Sequence, residues 1–122
     1  MNTDRTPAQQ EEMMGSFQEH YLELLTILTK SSCSVILMEP FVFSCPAFYE
    51  NWKPLLQKMS QIIRTLSIQF RLPFLSLQKE LDEEVRRYGY SAITTDGVHL
   101  TRQGQQFLAD RLYSCIAEHN YV

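Results

Sequence analysis

The sequence predicts an α/β fold: two parallel strands, at about residues 33–39 and 73–78, accompanied by four helices. Two observations support it. The run Cys33-Ser34-Val35-Ile36-Leu37-Met38 is short and apolar, with β-branched residues at its centre, and Glu39-Pro40 stops it. Such a bounded run fits a strand covered on both faces, as in a parallel sheet. Apolar residues recur at helical spacing on either side of it, and a second short apolar run, Phe74-Leu75-Ser76-Leu77, follows Pro73. Strand, helix, strand is a crossover unit, and its parallel pairing is right-handed.

The first helix opens at Thr6-Pro7-Ala8-Gln9. Thr6 can cap it, Pro7 suits its first position, and Gln9 completes a capping box. Met14, Phe17, Tyr21, Leu24, Leu25 and Leu28 give it an apolar face, and Ser31-Ser32 ends it. After the first strand, a loop from Phe41 to Lys53 holds Pro46 and Trp52. The second helix presents Leu55, Met59, Ile62, Ile63, Leu66 and Phe70 on one face. Lys79 to Tyr88 is a short charged helix with a solvated face, and Gly89 is its stop. A loop reading Thr-Asp-Gly-Val-His then leads to Thr101, which can cap a last helix burying Phe107, Leu108, Leu112 and Ile116.

Composition narrows the class. The chain has 122 residues, enough for one domain, with 44% hydrophobic and 20% charged residues. Its net charge is −3 and no basic stripe is visible, so a nucleic-acid partner is not expected. No apolar run approaches the roughly 20 residues of a membrane span. The N-terminus, MNTDRTPAQQEE, lacks an apolar core, so no signal peptide is expected. Cys33, Cys45 and Cys115 are odd in number and lack CxxC spacing, which fits reduced thiols in a cytoplasmic protein. Cys33 and Cys115 lie in apolar stretches and are expected in the core. Nothing in the sequence calls for a cofactor.

The chemistry concentrates in the loop holding Asp96 and His99, three residues apart with Gly97 between them. A carboxylate that accepts from one imidazole nitrogen fixes the tautomer and leaves the other nitrogen free to take a proton from a serine hydroxyl. A bare DxxH also fits a polar loop bonded to its own backbone. A metal pair is a third alternative, but no third ligand has suitable spacing, with His20 in the first helix and His119 near the C-terminus.

The longer string is more specific. Asp96-Gly97-Val98-His99-Leu100-Thr101, then Gly104, then Phe107-Leu108-Ala109, resembles the last block of the SGNH (GDSL-type) hydrolases. The order of elements is similar too, from a helix and a strand like VILMEPF to a long helix, a strand like PFLSL and the DxxH loop. The resemblance covers residues 7 to 118, after a polar tail at 1–6, as a single partial domain spanning 1–122. It implies the C-terminal half of a flavodoxin-like, three-layer αβα fold. It makes His99 the catalytic base and Asp96 its orienting acid, in an acyl-ester hydrolase of the esterase or lipase type. Ligands of open α/β sheets bind at the carboxyl edge of the strands, so Glu39, Pro40 and Phe41 are expected to line a substrate pocket, with ordinary core packing an equal alternative for Phe41.

The sequence departs from the family at the other end. The Gly-Asp-Ser block with the nucleophile is absent, as are the second-block glycine and the Gly-x-Asn-Asp block that complete the oxyanion hole. Gly15-Ser16 lies in an amphipathic helix without the aspartate, and Asn2-Thr3-Asp4 is only an echo. Asp96 and His99 thus resemble two-thirds of a triad. The expected partners are a small ester substrate, once an N-terminal half completes the site, and a second copy of the chain through the open strand edge. The alternative function is a non-catalytic interaction module, or a degenerate fragment, that keeps the half-fold.

Overall fold

A computed structural model of the chain describes residues 5–120, the side chain of Phe48 excepted. Most of the polar tail expected at 1–6, and the echo at Asn2-Thr3-Asp4, lie outside the described residues. The elements are α1 (Pro7–Thr29), β1 (Leu37–Met38), α2 (Lys53–Phe70), β2 (Phe74–Leu75), α3 (Gln78–Tyr88), α4 (Tyr90–Ile93) and α5 (Arg102–Glu118). The four expected helices are α1, α2, α3 and α5. The 3-10 turn Ala47–Trp52, leading into α2, and the single turn α4 were not anticipated.

Local chemistry sets the helix ends. At α1 the Gln9 amide donates to the Thr6 hydroxyl (3.2 Å) and the Thr6 amide to the Gln9 side chain (2.9 Å), closing the capping box. At the end of α2, Arg71 takes a left-handed conformation (φ 56°), and the Leu72 amide reaches back to the Ser67 carbonyl (2.8 Å). Pro73 follows and the chain enters β2.

β1 and β2 pair in parallel, Leu37 with Phe74 and Met38 with Leu75. Alternation along the strands separates two cores. On one face, Leu37 and Phe74 pack with Leu25 of α1 and with Ile63 and Leu66 of α2. On the other, Ile36 and Leu75 pack with Leu81 of α3, Ile93 of α4, and Phe107, Leu112 and Cys115 of α5. The result is helices, sheet, helices, with the side-chain period of two directing successive residues to opposite layers. Burying each such leucine or isoleucine contributes about 1.5–3 kcal/mol.

Three expectations need correction. The strands are shorter than 33–39 and 73–78. Residues 33–36 precede the ladder and find no strand beside them among the described residues, and Leu77 already gives its amide to the Glu39 side chain. Cys33 is exposed, because it stands in that unpaired approach to β1, while Cys115 is buried as expected. Leu24 is 51% exposed, since the buried line of α1 passes through Leu25 instead.

One edge of β1 is open. Leu37 and Glu39 turn their amides to β2, donating to Pro73 and Leu75 at 2.9 Å each. The alternation of a strand therefore turns the main-chain groups of Ile36 and Met38 the other way, where no strand lies among the described residues. Leu24, Ile27 and Met38 add exposed apolar surface. Unpaired strand edges beside apolar surface favour association. Sedimentation velocity of the 122-residue chain at tens of micromolar should show self-association; a single sharp monomer boundary with cooperative unfolding would mean that the edge is closed.

Candidate functional site

The loop from Thr94 to Leu100 is built from α4 and α5. Thr94 and Leu100 form an antiparallel bridge at its base, and the Thr101 amide donates to the Ile93 carbonyl (2.9 Å). Thr101 then caps α5, its hydroxyl accepting from the Gly104 amide (3.1 Å) and donating to the Ala92 carbonyl (2.5 Å). Gly104 is buried, and a β-carbon there would stand 2.4 Å from the Ile93 carbonyl oxygen. The glycine that trails the motif is thus required by the close passage of α5 over α4.

Within the loop, Asp96 uses both carboxylate oxygens. Oδ1 accepts from the amides of Val98 (3.0 Å) and His99 (2.7 Å), and Oδ2 lies 2.6 Å from His99 Nδ1. The His99 amide, the His99 ring and the Val98 amide together hold the Asp96 carboxyl well below its ordinary 3.8, at about 2. An ionised carboxylate can only accept, so Nδ1 carries the proton and the neutral ring keeps its lone pair on Nε2. Among the described residues none forms a hydrogen bond with Nε2, and the His99 side chain is 78% exposed. The pair can take a proton from a group brought to Nε2, and the carboxylate stabilises the imidazolium that forms.

Gly97 seats the loop. Its φ is +98°, and a β-carbon would meet the Cys45 carbonyl oxygen at 2.5 Å and the Tyr49 ring at 2.7 Å. Its carbonyl accepts from the Phe43 amide (2.9 Å). The loop is therefore pressed against the segment that leaves the carboxyl end of β1, the side on which the sequence placed Glu39, Pro40 and Phe41.

Those three residues do not gather around His99. Glu39 and Pro40 line a cleft of about 310 Å³ with Lys53, Ser60, Arg64 and Asp82, and neither Asp96 nor His99 borders it. Phe41 packs on the α3–α5 core, tilted edge-on to Phe43 at 5.8 Å. The Glu39 carboxylate accepts from the amides of Leu77 (2.9 Å) and Gln78 (2.8 Å) and from the Ser60 hydroxyl (2.5 Å). Burial alone would raise its pKa; the hydrogen bonds from Ser60, Gln78 and Leu77, with the nearby Arg64 charge, outweigh burial and leave it lowered.

Gln78 was not foreseen. Its side-chain amide pairs with Val42 in both directions, at 3.0 and 2.9 Å, as a neighbouring strand would. It thereby fixes the residue before Phe43. Nothing in the local sequence marks it, since its partner lies 36 positions away.

No family model matches the chain, and no curated protein matches it at a significant level. Among solved structures, a protein of Parabacteroides merdae ATCC 43184, described as a candidate GDSL-like lipase, superimposes with a TM-score of 0.77 at 22% identity. The match covers 85% of this chain and 50% of that one. The chain has the fold of half a GDSL-like lipase. It therefore spans about half the length of that structure. Among the described residues, no helix is long and apolar enough to cross a membrane.

Two outcomes follow from the loop geometry. Gly97→Ala should destabilise the chain by about 1–3 kcal/mol in chemical denaturation, from positive-φ strain and the clash with Cys45 and Tyr49. The second concerns acid. The Asp96 pKa is depressed in the folded chain, so its contribution is complete above 3.8 and is lost as pH falls through about 2. The stability difference between wild type and Asp96→Asn should therefore shrink across that interval in denaturant titrations. A difference that stays constant with pH would show that the network does not lower the Asp96 pKa on folding.

Proposed function

We propose that the chain supplies the acid–base half of an SGNH-type acyl-ester hydrolase. His99 is the general base and Asp96 its orienting carboxylate. The single observation that carries this reading is the 2.6 Å contact between His99 Nδ1 and Asp96 Oδ2, which leaves Nε2 exposed. The GDSL-like half-fold and the DGVHLT string support it. The substrate is a small ester bound against this loop.

The reaction also needs a serine nucleophile and oxyanion donors, which in the resembling family come from the Gly-Asp-Ser and Gly-x-Asn-Asp blocks. A base without a nucleophile forms no acyl-enzyme, and losing even one oxyanion donor costs roughly 10²–10³ in rate. The open edge of β1 is where strands bearing those blocks would pair. That same edge supports the second reading, an interaction module that binds by strand addition without catalysis.

The 122-residue chain alone should not hydrolyse a p-nitrophenyl short-chain ester above a buffer-plus-imidazole control. Combined with a polypeptide carrying all three missing blocks, it should gain turnover, and His99→Ala should remove it. Binding of that polypeptide without turnover would favour the interaction module. Turnover by the chain alone, blocked by a serine-directed fluorophosphonate, would place the nucleophile within it. Ser44, whose hydroxyl donates to Glu50 in the segment beside Gly97, would then be the first residue to replace.

A further inference from the structure

The geometry points to Thr94 as the positioning residue of the Asp96–His99 pair, its hydroxyl holding the turn that brings carboxylate and imidazole together. This rests on the pairing proposed above and adds a residue to it.

Thr94 is 5% exposed, although its neighbours Thr95 and Asp96 face solvent. Its hydroxyl works in two directions. It accepts from the Gly97 amide (2.9 Å) and donates to the His99 carbonyl (2.7 Å). A hydroxyl can do both at once, and a methyl group of the same shape can do neither. Gly97 lies between the two members of the pair, and its main chain is pinned on both sides. Thr94 takes its N–H, and the Phe43 amide donates to its carbonyl. His99 is held at its carbonyl by Thr94 and by the Thr95 amide (3.0 Å).

Both residues that Thr94 fixes thus determine where the His99 ring stands. The ring is 78% exposed, so packing does little to orient it. Its direction comes from the main chain at His99 and from Asp96, whose Oδ1 holds the Val98 and His99 amides. Without the Thr94 hydroxyl, Gly97 loses its N–H partner and the turn can open. The separation of Asp96 Oδ2 from Nδ1 then widens, and the ring is released to the tautomer it prefers in water. Thr94 touches neither a substrate nor the imidazole, so it acts through the loop alone.

Nitrogen-15 NMR of labelled histidine reads the tautomer of the neutral ring directly, with the His99 signal assigned by its loss in His99→Gln. Wild type should carry the proton on Nδ1. Thr94→Val should shift the population toward Nε2–H, and Thr94→Ser should restore the wild-type signal, which a merely volume-filling role would not predict. Asp96→Asn tests the underlying pair: if it leaves the tautomer unchanged, the pairing itself fails. If Asp96→Asn moves the tautomer and Thr94→Val does not, the pair stands and the role of Thr94 is overturned. Amide exchange at Gly97 serves where Thr94→Val does not fold. In wild type this amide should exchange at least about tenfold more slowly than an unprotected one, the equivalent of one retained hydrogen bond. Exchange at the free rate would overturn the proposal.

Discussion

The architecture turns on one carboxylate. Glu39 ends β1, and its side chain collects the Ser60 hydroxyl of α2 and two amides at the head of α3. Negative charge at a helix N-terminus is favourable, and here it also joins a strand to elements in both covering layers. Gln78, set in place by the same carboxylate, then clamps Val42. Phe43 follows, fully buried, and its amide meets Gly97. A continuous line of contacts thus runs from the end of the sheet to the loop that holds Asp96 and His99. Glu39 anchors this path, and its carboxylate is already occupied on three sides by the protein itself.

What was legible in the sequence was what local chemistry decides. Thr6 with Gln9, Gly89 and Thr101 mark helix ends because each acts on residues three or four positions away, and Pro7 because its own ring fixes φ and lacks an N–H. The Asp96–His99 pair was legible for the same reason, being closed by a three-residue turn. Strand length was not, because a ladder ends where its neighbour ends, and the neighbour lies far along the chain. The position of Glu39 at a strand terminus was clear, but its partners stand 38 and 39 residues away, and no local pattern encodes that meeting. Thr94 looked like any threonine in a polar loop. Its burial follows from the way α4 and Leu100 close over it.

The two faces of the sheet differ in how completely they are served. The α3–α5 side encloses Phe43, Leu77, Leu81 and Ile93 almost wholly. On the α1–α2 side the buried line is narrower, and Leu24, Ile27 and Ile68 remain wet. Exposed apolar side chains remain on the α3–α5 side as well, at Met38, Tyr88, Tyr90 and Tyr113, so both layers keep surface to cover.

The bridge between Thr94 and Leu100 has a kinetic meaning. The polar contacts internal to the Asp–His turn close over a few residues: three from Thr94 to Gly97, three from Asp96 to His99, five from Thr94 to His99. Short closures cost little chain entropy and form early, whereas the ties from Glu39 to α3 must wait for a span of nearly forty residues to be brought together. The turn can therefore take shape before the sheet exists. The donors and acceptors of the turn are thus set by its own short stretch of chain, and only its seat against Phe43, Cys45 and Tyr49 waits for a distant segment to arrive.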